Sequence, residues 1–145
     1  MILYDNFKTN ARGHLEIGGC DAAELAEKYG TPLYVMDENK IRENCRAYKN
    51  AARKYFDEAE IAFASKCLSF KEIYRIVESE GLWTDIVSLG ELETAKAAGF
   101  NLSNAYFHGN NKTDFSGSAV FGIPCEITGN RAKQRNDTPT YYNPA

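Results

Sequence analysis

Lys66 closes a short apolar run, Ile61-Ala62-Phe63-Ala64-Ser65-Lys66-Cys67. The run predicts a buried β-strand, and an amine at the end of such a strand has two readings. It can snorkel to solvent, as charged side chains mostly do. It can also be desolvated at the mouth of an inner barrel strand, where lost hydration favours the neutral, nucleophilic amine. The second environment is the one a Schiff-base lysine needs. Further along, Asp85 opens Asp85-Ile86-Val87, Glu91 ends Ser88-Leu89-Gly90-Glu91, and His108 closes Ala105-Tyr106-Phe107-His108. Acidic groups at the mouths of neighbouring strands can hold such a lysine protonated or orient it. Each also has a structural reading. Asp85 can be a solvated strand-start carboxylate. Glu91 stands at the fourth place of a capping box and is explained by backbone satisfaction alone. His108 can be a hydrogen-bonding group at a barrel mouth or a satisfied structural histidine.

The elements that must position these residues follow from periodicity and breakers. Leu15-Glu16-Ile17 suits a short strand and Gly18-Gly19 a turn. Asp21-Ala22-Ala23-Glu24 has the form of a helix start. Gly30 suits that helix's end, and Pro32 blocks continuation. Leu33-Tyr34-Val35-Met36 reads as a strand. Over residues 37–56, Ile41, Cys45, Tyr48, Ala52 and Tyr55 recur at steps of four and three, which predicts a helix with these residues as its core stripe. Ser69-Phe70-Lys71-Glu72 reads as a capping box opening the next helix, with Phe70, Ile73, Ile76 and Val77 buried and Gly81 as the stop. Asp85–Val87 is the next strand, a helix from the Ser88 box stops near Gly99, and Ala105–Phe107 is a further strand. Strands alternating with helices of this length predict parallel βαβ units, an α/β fold.

Composition narrows the classes. The 145 residues are 43% apolar and 26% charged, which suits a globular chain. The net charge of −3 and the lack of a basic face argue against a nucleic-acid partner. No apolar run is long enough for a membrane span, and Met1-Ile2-Leu3-Tyr4-Asp5 lacks the form of a signal peptide. Cys20, Cys45, Cys67 and Cys125 form no Cys-x-x-Cys pair and are expected as free thiols in a cytoplasmic protein, with no metal site. His14, in a polar stretch, is expected to be exposed.

Together, the Lys66 run, Thr84-Asp85-Ile86-Val87-Ser88-Leu89-Gly90-Glu91-Leu92, Ala105-Tyr106-Phe107-His108-Gly109-Asn110-Asn111-Lys112 and Tyr29-Gly30-Thr31-Pro32-Leu33-Tyr34-Val35-Met36-Asp37 resemble, in order and spacing, motifs of the fold-type III pyridoxal-phosphate (PLP) decarboxylases. The resemblance covers about residues 1–114 and is strongest to the diaminopimelate type. It implies an alanine-racemase-like (β/α)8 TIM barrel, of which only the N-terminal βα units are present, since a whole barrel takes roughly 250 residues. The implied organisation is a lead-in segment over 1–30, a partial barrel over 31–114 and a divergent tail over 115–145. The implied activity is decarboxylation of meso-diaminopimelate to L-lysine by a cytoplasmic homodimer acting on a small amino acid. Related arginine or ornithine decarboxylation, an alanine-racemase-like protein and an inactive PLP-binding fragment are the alternatives. Lys66 would carry the PLP, with Asp85 and Glu91 catalytic. His108 would lie on the cofactor side as a hydrogen-bonding group, because the family's ring-stacking histidine comes from a later segment.

After Asp114 the character changes. Residues 115–145 hold no leucine, three prolines and no helical period. A loose tail is expected there, of the kind left by a frame shift, a rearrangement or a truncated reading frame. Gly117, Gly122 and Gly129 are too scattered to form the family's phosphate grip.

Overall fold

Gly18 and Gly19 both have positive φ, 58° and 85°, which a two-residue turn needs if it is to match the twist of its flanking strands. They join β2 (Leu15–Ile17) to β3 (Cys20–Asp21), and β1 (Phe7–Thr9) completes an antiparallel sheet in the order β1-β2-β3. The computed structural model describes residues 5–108 and, as backbone, Glu126–Thr128. The chain divides into two compact units, Met1–Asn44 and Cys45–Ala145.

In the first unit, Asp21 caps α1 (Ala22–Tyr29), as its sequence predicts, accepting from the amides of Ala23 at 2.8 Å and Glu24 at 3.3 Å. The same carboxylate accepts from Asn10 Nδ2 at 2.6 Å, Arg12 at 2.7 Å and His14 Nδ1 at 3.0 Å. Glu24 pairs with Arg12 and does not reach back along the helix. His14 is therefore half-buried and hydrogen-bonded, not simply exposed. Leu33–Met36 forms no strand, and Tyr34 is 92% exposed. A strand needs a partner for its amides and carbonyls, and no described segment pairs with this one.

The predicted helix over 37–56 is α2 (Glu38–Ala52). Its stripe is only partly core: Cys45 is buried, whereas Tyr48 and Tyr55 are exposed. Period identifies a face but not what covers it. In the second unit, β4 (Ala62–Ala64), β5 (Trp83–Ile86), β6 (Ala105–His108) and β7 (Glu126–Thr128) form a parallel sheet in chain order. β7 lies inside the stretch expected to be loose, and the rest of that stretch is outside the described residues. Helices α3 (Lys71–Ser79) and α4 (Leu89–Ala98) cross between the strands as parallel pairing requires.

Side chains alternate across this sheet. Thr84, Ile86, Ala105 and Phe107 are buried, together with Ile73, Tyr74, Ile76 and Val77 of α3 and Leu92 and Ala95 of α4. Tyr74 meets Phe100 edge-on at 6.0 Å between ring centroids. Trp83, Asp85, Tyr106 and His108 alternate with the buried strand residues and are half-buried. Trp83 stacks on Tyr106 at 5.0 Å. Two details of α3 depart from the expectation. Phe70, not Ser69, holds the N-cap position and supplies no side-chain bond. Ser69 Oγ instead meets the Tyr74 hydroxyl at 3.1 Å, and Phe70 is 38% exposed.

Candidate active site

β4 is shorter than its apolar run suggests. It ends at Ala64, and Ser65–Cys67 form a 3₁₀ turn closed by the Leu68 amide on the Ser65 carbonyl at 3.1 Å. Lys66 is the middle residue of that turn. It lies beyond the carboxyl edge of the sheet and is exposed, so the expected burial is not what the described residues provide. The strand stops two residues before the lysine, so β4 itself does not cover it. The carboxyl ends of parallel strands are nevertheless where α/β folds place their ligands.

The buried residue of the turn is Ser65, with no exposed surface. Its hydroxyl lies 2.7 Å from the Asp85 carbonyl and 2.5 Å from Glu91 Oε2. Sequence reasoning passed over Ser65. The available signal was a single small polar residue closing an otherwise apolar run.

Glu91 is buried at 9% exposure in the first turn of α4. Ser88 is the N-cap and accepts from the Glu91 amide at 3.2 Å, as its box predicts. The Glu91 carboxylate then accepts from Ser88 Oγ at 2.8 Å and from the Val87 amide at 3.1 Å, besides Ser65. One carboxylate thus joins the Lys66 turn to the loop leading into α4 and the helix's first turn. Tyr74 adds a brace from α3, its hydroxyl donating to the Glu91 carbonyl at 3.2 Å.

Asp85 lies on β5, in register with Ala64 of β4 and Tyr106 of β6. Its carbonyl serves Ser65, while its carboxylate takes the ring Nδ1 of His108. His108 closes β6 and is half-buried. The pairing fixes the ring through Nδ1, which places His108 beside the carboxylate at the end of β6. The structure therefore brings Lys66, Ser65, Asp85, Glu91 and His108 to one edge of the sheet. Asn110, Asn111 and Lys112 lie outside the described residues. Among the described residues no group of three or more His, Cys, Asp or Glu side chains could hold a metal ion, and Cys20, Cys45 and Cys67 are free thiols.

This arrangement has relatives. Residues 38–116 match the family model described as pyridoxal-dependent decarboxylase, pyridoxal binding domain. The chain is 50% identical over 113 residues to a diaminopimelate decarboxylase of Bacillus methanolicus, covering 78% of this chain and 26% of that protein. A diaminopimelate decarboxylase of Bacillus subtilis matches to the same extent, 50% over 113 residues. The crystal structure of diaminopimelate decarboxylase from M. jannaschii in complex with L-lysine superposes with a TM-score of 0.68 at 36% identity, covering 85% of this chain and 29% of that one. The chain thus spans about a quarter of the length of the curated relatives it matches. The parallel βα units, the lysine-bearing turn at their carboxyl edge and a family match over more than half the residues agree: the chain belongs to the pyridoxal-dependent decarboxylases, through their pyridoxal-binding domain.

Proposed function

We propose that Lys66 is the covalent attachment point of pyridoxal phosphate in a decarboxylase that converts meso-diaminopimelate to L-lysine. The observation that carries this is the convergence of Lys66, Asp85, Glu91 and His108 on one carboxyl edge of a parallel sheet. The residues present fit the attachment half of a PLP site. An exposed amine stands on a braced turn, and a carboxylate–imidazole pair lies on the next two strands. A phosphate grip and a partner for the pyridine nitrogen are not among the described residues. When bound, PLP supplies the electron sink for the pair released as CO2 departs. Lys66 Nζ supplies the nucleophilic amine and a site from which a proton can be returned. Asp85 holds the His108 ring through Nδ1 and so fixes its orientation at the strand end. Glu91 acts through Ser65 and the backbone rather than on the reacting atoms.

Diaminopimelate is favoured over arginine or ornithine by the 50% identity to proteins of that name. A cytoplasmic homodimer, as the whole enzyme, rests on the family resemblance. The test is reduction of the PLP-treated chain with borohydride, followed by peptide mapping. The phosphopyridoxyl group is expected on Lys66 and absent from Lys66→Ala. Label on another lysine, with Lys66 clean, overturns the assignment.

A further inference from the structure

We infer that Ser65 is a positioning residue for Lys66, acting through a hydroxyl clamped between the Asp85 carbonyl and the Glu91 carboxylate. The inference deepens the reading of Lys66 as the attachment lysine and rests on it. Ser65 holds its turn at two points: its carbonyl accepts from the Leu68 amide at 3.1 Å, and its hydroxyl reaches β5 and α4 at 2.7 Å and 2.5 Å. Lys66 lies between those two fixtures, exposed, with its backbone in a three-residue turn. The described strand offers little else to fix it, since β4 is only three residues long. A serine with no exposed surface and two strong acceptors within reach is costly unless its bonds are made. The hydroxyl has one proton to share between the two acceptors, so its removal takes away the one group that links the turn to β5 and α4. Glu91 Oε2 would retain the Val87 amide, and Ser88 would retain Oε1, so α4 keeps its cap while the lysine turn is released. That division separates a positioning role from a merely structural one. Small displacements of a reacting group cost rate out of proportion to their effect on folding.

The test uses the 145-residue chain with two labelling arms. The first is borohydride trapping of PLP at sub-saturating concentration. The second is competitive acetylation with acetic anhydride across a pH series, reading Lys66 against Lys49 and Lys71. In Ser65→Ala, PLP label on Lys66 is expected to fall about tenfold, the worth of one well-made hydrogen bond to a charged group. The pH profile of Lys66 acetylation should shift, while Lys49, Lys71 and the circular dichroism stay as in the parent. Glu91→Gln should lower the same label, and the double variant should be no worse than Ser65→Ala alone, because both remove one linkage. Unchanged Lys66 label and profile in folded Ser65→Ala overturns the inference, and so do additive losses in the double variant. If Ser65→Ala does not fold, Glu91→Gln decides on the same readouts. If the parent takes no PLP on Lys66, the cofactor reading fails, and the acetylation arm alone decides whether Ser65 sets the lysine.

Discussion

Asp21 shows how a single carboxylate organises its surroundings. Burial pushes its pKa up, but hydrogen bonds from Asn10, from His14 and from the backbone amides of Glu24 and Ala23 outweigh that and hold it at about 2. The folded value lies below the ordinary one of 3.8, so Asp21 stabilises the first unit in full above the ordinary value. That stabilisation is lost as pH falls from there through about 2. Acid unfolding followed by nuclear magnetic resonance signals of residues 5–30 should therefore steepen below the ordinary carboxylate range. Asp21→Ala should flatten that dependence and lower stability at neutral pH. A variant with an unchanged acid profile would remove Asp21 as the cause. At the other unit, Tyr74→Phe removes the hydroxyl that meets Ser69 and the Glu91 carbonyl while leaving the buried ring in place. The expected loss is about 1 kcal/mol in urea unfolding.

Among the elements, the β2–β3 hairpin gives a sharp contrast between adjacent glycines. Both have positive φ, so alanine is strained at either position. Only at Gly18 would a Cβ also meet the Asp37 carboxyl, 2.9 Å from Cγ, whereas at Gly19 nothing lies within 4 Å. Asp37 is committed where it stands, accepting from the Lys40 amide at 3.2 Å and from Asn6 Nδ2 at 3.0 Å. Gly19→Ala should cost about 1 kcal/mol from conformation alone. Gly18→Ala should cost measurably more by thermal unfolding, and equal losses would show that the Asp37 contact yields freely. In the second unit, the α3–α4 layer depends on side chains that fill their space: Leu92 has no exposed surface. Leu92→Ala should cost about 2–5 kcal/mol, read from the denaturation midpoint.

For the molecule as a whole, the decisive quantity is how much of a barrel these residues represent. The second unit contributes four parallel strands, whereas the relatives are about four times longer than the part matched. The sheet surface carrying Trp83, Asp85, Tyr106 and His108 is only half-buried by the described residues. A closed barrel fills its interior with strand side chains and leaves no open edge. The 145 residues by themselves are therefore expected to release no CO2 from meso-diaminopimelate, measured with carboxyl-labelled substrate. Joining residues 1–114 to the remaining segment of a Bacillus relative should restore release, and Lys66→Ala in that chimaera should abolish it. Robust turnover by the short chain would show that decarboxylation needs far less of the barrel than supposed.

What could be read without the structure was whatever depends on neighbours along the chain. Asp21 before Ala22 and Ser88 before Leu89 are caps because a short oxygen-bearing side chain meets amides two or three residues on. Gly99, in the left-handed region at φ 82°, ends α4 because no Cβ opposes it. The alternation of strands and helices implied parallel βα units, and the lysine just beyond β4 was visible as an anomaly in an apolar run. Tertiary packing decided the rest. Ser69 had the pattern of a cap and became a partner of Tyr74. Tyr48 and Tyr55 shared the period of Cys45 yet remained exposed, since period fixes a direction but not a covering layer. Lys66, expected to be buried, stands exposed on a turn, and the burial belongs to Ser65 beside it. The Asp85–His108 and Ser65–Glu91 pairs join residues more than 20 positions apart, so their meeting depends on strand register and the docking of α4. A strand's own alternation decides which face it buries, but which residue of a distant strand stands opposite is decided only when the sheet assembles.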